Sequence, residues 1–510
     1  MAETKREIER KYEAGRDTVL PDLTRAAGVA AVSDEGVTEL DAVYYDTADL
    51  RLAADSLTLR RRTGGRDAGW HLKLPVAAGI RDEIRAPLSE TLPASLAGLV
   101  RSRVRTEPVR PLVRLRSRRD VHLLTAKDGT VLAELSVDTV HAERLTGPGE
   151  AAWTEIEVEL ADDADPAVLD AVEKRLRKAG IRPSDAPSKL ARALTETGAP
   201  DPATAAERSG AAEPAPGSAA AAVLAYVREQ RDTIVALDPA VRRDLPDAVH
   251  RMRVASRRLR SALKTYRKVL DRTVTDPLGK ELKWLAGELG AARDEEVLAA
   301  RLAARVDELP EDLLLGPVRA RLRVRGARRA EEARRTALAA LDSPRHLALL
   351  DALDALLADP PLRKAAARAA DRVLARAARK DFDRLAERMG RALALDPGHE
   401  RDLALHEARK AAKRARYAGE AAEPTLGKPA KRFAKRMKSV QSLLGEHQDG
   451  VVTRAALREL AAQADAAGES AFTWGLLFGR EEAAAAVRER ELPGVWERAA
   501  APGIRAALSR

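Results

Sequence analysis

Residues 6–13 read REIERKYE, and this stretch decides the fold of the first half of the chain. Glu7, Glu9 and Lys11 occupy alternate positions, so at the strand period of two they share one face. The pattern predicts a β-strand with one charged face and one face available for a core.

Five further segments repeat this alternation of charged and apolar positions. They are residues 57–62 (LTLRRR), 72–74 (LKL), 114–118 (RLRSR), 134–138 (ELSVD) and 155–160 (EIEVEL). An antiparallel sheet with its polar face in water would also show this alternation. However, the charges are segregated by sign, and two carboxylates about 4 Å apart repel by about 4 kcal/mol at a surface-like dielectric. The segregation favours a lined cavity that holds a polyanion together with a divalent metal.

The order of these blocks resembles a known family. The ExExK strand is followed by YYDT at 44–47, LTLRRR at 57–62, WHLKLP at 70–75, EIEVEL at 155–160 and SKLARAL at 188–194. This series resembles the CYTH domain, also called the triphosphate tunnel metalloenzymes, over about the first 200 residues. The resemblance implies a closed antiparallel β-tunnel with a charged interior that binds a linear triphosphate with Mg²⁺ or Mn²⁺.

The resemblance also implies roles for individual residues. The expected metal ligands are Glu7, Glu9, Glu155 and Glu157. The expected catalytic cations, which bind phosphate oxygens, are Lys11, Arg60, Arg62, Lys73, Arg116 and Lys189, with Arg118 as a substitute for Arg116. Four further carboxylates are expected either to contact a second metal or to orient the cations: Glu83, Glu134, Asp138 and Glu159.

Length and composition limit the remaining possibilities. A chain of 510 residues exceeds one comfortable core, so two or three domains are expected. The absence of cysteine excludes disulfides and thiolate metal sites. Without an apolar run of about 20 residues or an N-terminal leader, the expectation is a cytoplasmic protein that associates with polyphosphate granules and not with membranes. The net charge of +10 points to anionic partners.

A Pro-, Ala- and Gly-rich stretch at 198–218 interrupts the periodic pattern. It predicts three parts: a tunnel domain at 1–200, a linker at 201–217 and a helical domain at 218–510. The fold class is therefore α+β, with an all-α half after the tunnel.

The helical half contains an internal repeat. HRMRVASRRLR begins at His250 and HEARKAAKRARY at His406, an offset of 156, while LGAARDEEV begins at Leu289 and LGEHQDGVV at Leu444, an offset of 155. Two motifs at nearly constant separation predict a duplicated helical bundle.

Each copy of the basic motif places cations on one helical face. A solvated face is the simple explanation for one such helix. However, the basic faces of both helices lack the acidic residues that normally alternate with the cations, and a bound polyanion would supply the missing negative charge. The duplicated motifs resemble the CHAD domain, which implies two four-helix bundles that bind inorganic polyphosphate. Asp294 and Asp449 in the LG motifs are interpreted as structural carboxylates that orient a neighbouring arginine such as Arg293. The expected polyphosphate-binding residues are His250, Arg253, Arg257, Arg260, Lys264, His406, Arg409, Lys410, Lys413 and Arg416.

The two resemblances together predict an inorganic triphosphatase, that is, a metal-dependent hydrolase of tripolyphosphate with a polyphosphate-binding domain. Aromatic residues are scarce near the tunnel strands, which disfavours thiamine triphosphate and ATP cyclisation without excluding them. A non-catalytic polyphosphate-binding protein remains the main alternative. Nucleic acid is disfavoured because aromatic positions for base stacking are nearly absent among the basic residues.

Overall fold

The computed structural model describes residues 3–15, 17–199 and 214–509, without the side chains of residues 3, 291–293 and 509. The chain divides into two compact units, Met1–Ser209 and Gly210–Arg510. Residues 201–213 of the predicted linker lie outside the described part, so its boundaries remain a prediction. No helix within the described ranges combines the length and apolar character needed to cross a membrane.

The first unit is an eight-stranded closed barrel. Its strands pair antiparallel in the order β1-β5-β4-β3-β2-β6-β7-β8, and β1 closes the ring because it pairs with both β5 and β8. The predicted antiparallel β-tunnel is thereby confirmed. The strands are β1 (Glu3–Ala14), β2 (Ala31–Asp46), β3 (Thr58–Thr63), β4 (Gly69–Ala77), β5 (Ile80–Ala86), β6 (Arg110–Thr125), β7 (Val131–Arg144) and β8 (Glu150–Leu160).

Helices cover the outside of the barrel, where the apolar faces of the strands need burial. Ile156 and Val158 on β8 pack beneath one helix, and Leu59 and Leu72 pack beneath another. Because alternate side chains point to opposite faces, burying these residues outward turns the charged positions of the same strands into the barrel. The helices of this unit are α1 (Arg51–Ala54), α2 (Ala94–Val104), α3 (Ala167–Lys178) and α4 (Lys189–Glu196), with a 3-10 turn at Leu23–Arg25.

Helix α4 fills one end of the barrel. Ser188 caps its N-terminus by accepting a hydrogen bond from the Ala191 amide at 3.1 Å. Leu190 and Leu194 on α4 are buried in the same cluster as Leu115 of β6. This end of the interior is therefore apolar, and Lys189 stands where the apolar end meets the charged part.

The YYDT motif ends β2 in a tight turn. The Asp46 carboxylate accepts hydrogen bonds from the amides of Thr47, Leu52 and Ala53, at 2.7, 2.9 and 2.9 Å. These bonds fold the chain into α1 and start β3, which carries Arg60 and Arg62. Asp46 and Thr47 thus have the turn-forming role that the sequence predicts.

The second unit is entirely helical over its described residues. Apolar residues at helical spacing, such as Met252, Leu259 and Leu263, are buried in one large core, and the two basic helices of the repeat pack on each other. The predicted all-α half is confirmed. Its helices are α5 (Ala219–Arg242), α6 (Ala248–Thr265), α7 (Arg272–Asp307), α8 (Val318–Asp342), α9 (Pro344–Ala358), α10 (Ala370–Leu393), α11 (His399–Leu426), α12 (Lys428–Ala466), α13 (Phe472–Ala500) and α14 (Pro502–Ala506), with 3-10 turns at Glu311–Leu313 and Ala507–Ser509.

Candidate functional site

The barrel encloses a cavity of about 350 Å³. Its lining draws charged side chains from β1, β3, β4, β5, β6, β7, β8 and α4, so both signs of charge face one hollow. Most of the site residues predicted for the tunnel meet here. Those in the lining are Glu7, Glu9, Lys11, Arg60, Arg62, Lys73, Glu83, Glu134, Glu157, Glu159 and Lys189.

Three buried carboxylates gather around Lys189 at the inner end of the cavity. Oxygens of Asp138, Glu155 and Glu157 lie within 4.8 Å of one another. The Lys189 ammonium lies 2.9 Å from Asp138 Oδ2, 2.8 Å from Glu155 Oε1 and 2.6 Å from Glu157 Oε2. Although burial opposes the shift, the charges of Asp138 and Glu155 raise the pKa of Lys189 well above its usual value. Hard oxygen donors at this spacing suit Mg²⁺ or Mn²⁺, so the residues present fit a divalent metal.

The ExExK strand supplies a second acidic group. Glu7 and Glu9 are almost fully buried; Lys73 Nζ lies 2.5 Å from Glu7 Oε2, and Lys11 Nζ lies 3.4 Å from Glu9 Oε1. Burial raises the pKa of Glu7. Burial would also raise the pKa of Glu9, but the charges of Lys11 and Lys73 outweigh it and lower that pKa to about 2. Lys11 also pairs with Glu157 and so connects the two acidic groups.

Glu83 is surrounded by hydrogen-bond donors. Its oxygens lie 2.9 Å from His71 Nδ1, 2.5 Å from Arg85 Nε and 3.4 Å from Arg60 Nη2. Burial opposes ionisation, yet the hydrogen bond with His71 and the charge of Lys73 hold the pKa of Glu83 well below its usual range. Of the two roles left open by the sequence, this geometry favours orientation of the cations.

Arg62 is buried among other cations. Burial, together with the charges of Arg60 and Arg119, lowers the pKa of Arg62. A lowered pKa means that the local environment disfavours the charged form, and a bound phosphate chain would reverse that preference. Asp67 pairs with Arg62, and the lowered pKa of Arg62 indicates that this carboxylate only partly compensates the surrounding cations.

Strand β6 contradicts the sequence-based assignment of its arginines. Arg116 and Arg118 lie on the outer face, and Arg116 is 57% exposed, 3.6 Å from Glu143. The arginine of β6 in the tunnel is Arg119, which donates to Asp138 at 2.7 and 2.8 Å and to Glu157 at 2.9 Å. Arg116 and Arg118 are therefore wrong as tunnel cations.

The error has a packing cause. Val113 and Leu115 on β6 face inward, as apolar residues of neighbouring strands such as Trp153 also do, because α4 fills that end of the barrel. The inward parity continues through Ser117 to Arg119. The sequence signal that could have identified Arg119 is the amphipathic SKLARAL helix. If this helix is placed inside the barrel, its leucines require an apolar partner face, and Arg119 then follows on the inward face of β6.

The remaining predicted tunnel carboxylates differ in their surroundings. Glu159 is 2.5 Å from Lys5 Nζ, a further lining cation that the sequence-based assignment missed. Burial, only partly offset by the charge of Arg119, raises the pKa of Glu134. Asp138 is fully buried beside Arg119 and Lys189, so it belongs to the inner carboxylate group.

Cations of the two repeats converge in the helical unit. Burial and the nearby charges of Arg409 and Arg257 lower the pKa of Lys413 to about 7. Burial and the charge of Arg253 lower the pKa of Arg257. Arg257 and Lys413 form no ion pair with any described carboxylate. This converging group, Arg253, Arg257, Arg409 and Lys413, is called the repeat-interface cluster below.

The LG motifs hold one arginine of each repeat in matching ways. Arg253 donates to Asp294 Oδ1 at 2.7 Å and to Oδ2 at 3.0 Å, while Arg409 Nη2 lies 3.7 Å from Asp449 Oδ1. A Cβ added at Gly290 would lie 3.3 Å from the Arg253 guanidinium, so this glycine lets the side chain lie across α7. These contacts agree with the structural role expected of Asp294 and Asp449.

The other predicted polyphosphate-binding residues are placed differently. Lys410 pairs with Glu407, and Arg416 lies 2.6 Å from Glu420, so acids of their own helix compensate these two, contrary to the expectation from the sequence. His406 Nδ1 lies 2.7 Å from Gln448 Oε1. Burial lowers the pKa of Arg260, and burial with the charge of Arg260 lowers that of Lys264. His250 is exposed near the start of α6.

A closed barrel whose interior carries both carboxylates and cations defines a class of protein with a charged tunnel. Such a tunnel suits a metal and a condensed phosphate. The comparisons agree with this class. The family model described as the CYTH domain matches residues 5–194, and that described as the CHAD domain matches residues 225–458. The chain therefore belongs to the proteins that join a CYTH domain to a CHAD domain, and it has a triphosphate-related function of the CYTH type.

Relatives cover nearly the whole chain. Uncharacterized proteins of Mycobacterium tuberculosis strains CDC 1551 and H37Rv are each 39% identical over 511 residues, which cover 95% of this chain and 94% of theirs. Among solved structures, PptA from Streptomyces chartreusis is 25% identical and covers 55% of this chain and 99% of its own, with a TM-score of 0.47. The CHAD domain from Ricinus communis is 29% identical, with coverages of 57% and 92% and a TM-score of 0.44.

Proposed function

We propose that the tunnel hydrolyses inorganic tripolyphosphate with a divalent metal and that the helical unit binds longer polyphosphate. One observation carries the proposal: the cavity combines a buried carboxylate group around Glu157 with a set of cations that can contact a phosphate chain. Predicted residues of β1, β3, β4 and β8, together with Arg119 of β6, supply these groups.

The aromatic residues support a substrate without a ring. Tyr44 is the only aromatic residue lining the cavity among the described residues. Trp70 packs outside the barrel against Tyr45, at 4.8 Å between ring centroids. The Trp153 indole donates to Glu155 at 2.6 Å and is covered by Arg192. These tryptophans are occupied, so a thiazole or adenine ring would find little stacking surface.

Phosphoanhydride cleavage depends mainly on positioning and on neutralising charge at the transferred group. In the proposal, Arg60, Arg62 and Arg119 bind phosphate oxygens, and Lys11 stands between the two acidic groups. Glu7, Glu9, Glu155 and Glu157 are the expected metal ligands. When bound, the metal supplies Lewis-acid stabilisation of the phosphoryl oxygens.

The proposed role of the helical unit rests on the repeat-interface cluster. Burial, together with the neighbouring cations of the cluster, lowers the pKa of Lys413 to about 7, so the charged cluster is unfavourable unless an anion compensates it. Binding polyphosphate on the same polypeptide would raise the local concentration of phosphate chains for the tunnel.

A substrate panel tests the proposal directly. Tripolyphosphate, long-chain polyphosphate, ATP and thiamine triphosphate are each incubated with the full-length protein and Mg²⁺ or Mn²⁺, and released phosphate and cyclic nucleotide are measured. The expected result is fastest phosphate release from tripolyphosphate and none after metal chelation. Formation of cyclic AMP, or faster hydrolysis of thiamine triphosphate, would contradict the proposed substrate; binding without any hydrolysis would favour the non-catalytic alternative.

Polyphosphate affinity is expected to fall as the pH rises above about 7. In the protein without polyphosphate, the pKa of Lys413 is about 7, and a bound polyanion would raise this pKa. At a pH between the two pKa values, polyphosphate binding is therefore coupled to uptake of a proton. Isothermal titration calorimetry at pH 6.5 to 9, in buffers of different ionisation enthalpy, measures this uptake.

Lys413→Met should remove most of that proton uptake, whereas Lys410→Met should preserve it. Lys410 is on the same helix, but it is exposed and paired with Glu407. Equal pH profiles for wild type and Lys413→Met would show that the repeat-interface cluster does not contact polyphosphate.

A further inference from the structure

Three potential metal ligands from three helices meet on the helical unit, and none of them belongs to the repeat-interface cluster. They are Asp402 on α11, His447 on α12 and Glu489 on α13. His447 Nε2 lies 3.3 Å from Asp402 Oδ1 and 3.3 Å from Glu489 Oε1, and one ligand atom of each residue lies within 4.8 Å of the others. We propose that these side chains bind a transition-metal dication of the Zn²⁺ type.

His447 Nε2 is within hydrogen-bond distance of Glu489, and the same spacing also suits shared coordination of a metal. A charge-assisted N–H···O bond is usually about 2.7–2.9 Å long, and both His447 contacts exceed that range. Zn²⁺ bonds to imidazole nitrogen and carboxylate oxygen are about 2.0–2.1 Å, so neighbouring ligands on a tetrahedron are about 3.3–3.4 Å apart. Both His447 separations match a tetrahedron edge.

Two arginines orient the carboxylates from outside. Arg454 Nη2 lies 3.6 Å from Asp402 Oδ2, and Arg401 Nε lies 3.2 Å from Glu489 Oε2. Each guanidinium thus contacts the oxygen that does not face His447, as outer partners of metal ligands commonly do. Their positive charge also opposes any cation held by charge alone, which favours a metal that bonds imidazole strongly over Mg²⁺ or Ca²⁺.

The internal repeat carries no histidine at the matching position of its first copy. When the two LG motifs are aligned, His447 of LGEHQD corresponds to Ala292 of LGAARD. The first repeat therefore forms its helix with alanine at this position, whereas the second buries an imidazole that is 4% exposed. Asp402 and Glu489 are 21% and 17% exposed, so an ion can reach the site from solvent.

Zinc binding by the chelator-treated full-length protein tests the proposal. Equilibrium dialysis against ZnCl₂ is done with excess Mg²⁺, which occupies oxygen-only sites such as the tunnel carboxylates. His447→Ala, which copies the first repeat, should bind one zinc ion fewer than the wild type, because the affinity of this site for zinc should fall at least 100-fold. Glu489→Gln should weaken zinc binding at the same site, and His406→Ala, a control histidine on α11, should retain it.

Two outcomes would overturn the site: no zinc bound by the wild type under Mg²⁺, or equal zinc binding by wild type, His447→Ala and Glu489→Gln. If circular dichroism shows that His447→Ala is unfolded, the Glu489→Gln result decides alone. Hydrolysis of tripolyphosphate with Mg²⁺ should be unchanged in His447→Ala and Glu489→Gln, so the outcome is independent of the proposed function.

Discussion

Glu157→Gln is expected to lower metal-dependent hydrolysis of tripolyphosphate by about 1000-fold, roughly 4 kcal/mol in the activation free energy. Glu157 belongs to the inner carboxylate group, and its oxygens also face Lys11, Lys189 and Arg119. The amide preserves the shape of the side chain but loses the negative charge that would hold a metal. Phosphate release measured across a Mg²⁺ titration should show both a lower maximum and a weaker dependence on metal.

Glu143→Gln is the matched control for this prediction. Glu143 lies on the neighbouring strand β7, but it faces outward and is 45% exposed. Removing the negative charge of Glu143 should leave the rate of hydrolysis within about twofold of wild type, since surface ion pairs contribute little to stability. Glu157→Gln activity within tenfold of wild type, with both variants folded, would exclude Glu157 as an essential metal ligand.

Arg119→Ala is expected to lower kcat/KM for tripolyphosphate by about 100-fold, while Arg116→Ala changes it by less than about threefold. Removing one preorganised donor from a developing negative charge typically costs a factor of this size. The two arginines are three positions apart on β6 and lie on opposite faces of this strand: Arg119 faces the cavity, and Arg116 faces the solvent. The pair therefore tests which face of this strand points inward.

The loss in Arg119→Ala also leaves Asp138 and Glu157 without one of their partners, so stability must be measured separately. Thermal unfolding of each variant gives that control, and Arg119→Lys retains the charge without the two-pronged guanidinium geometry. Arg119→Lys should recover part of the activity. A larger loss in Arg116→Ala than in Arg119→Ala would show that the structural assignment of β6 is wrong.

Much of the tunnel was predictable because a closed barrel preserves the period of two along each strand. On β1, β3 and β8 the charged residues at alternate positions face inward, and the apolar residues between them pack beneath helices, as the sequence indicates. The assignment fails on β6, where Leu115 packs inward against α4. Local alternation shows that two faces differ in polarity but not which face is inside when part of the interior is itself apolar.

The helical half shows a similar limit. The repeat predicted the two basic helices, but the acids that compensate some of their cations come from elsewhere. Asp294 on the next helix holds Arg253, and Glu420 on α11 contacts Arg258 of α6. Spacing on one helical wheel cannot reveal acids on a neighbouring helix, so the uncompensated group is smaller than the sequence predicts.

The sequence by itself determined the strand periodicity, the separation of acidic from basic strands and the duplicated helical motif, because each is a local or repeated pattern. Only the tertiary structure decided that Arg119 replaces Arg116 in the tunnel and that His447 meets Asp402 and Glu489. Both outcomes depend on packing between elements far apart in the chain. Burial of a helix inside the barrel and the packing of three long helices select side-chain partners that no local period encodes.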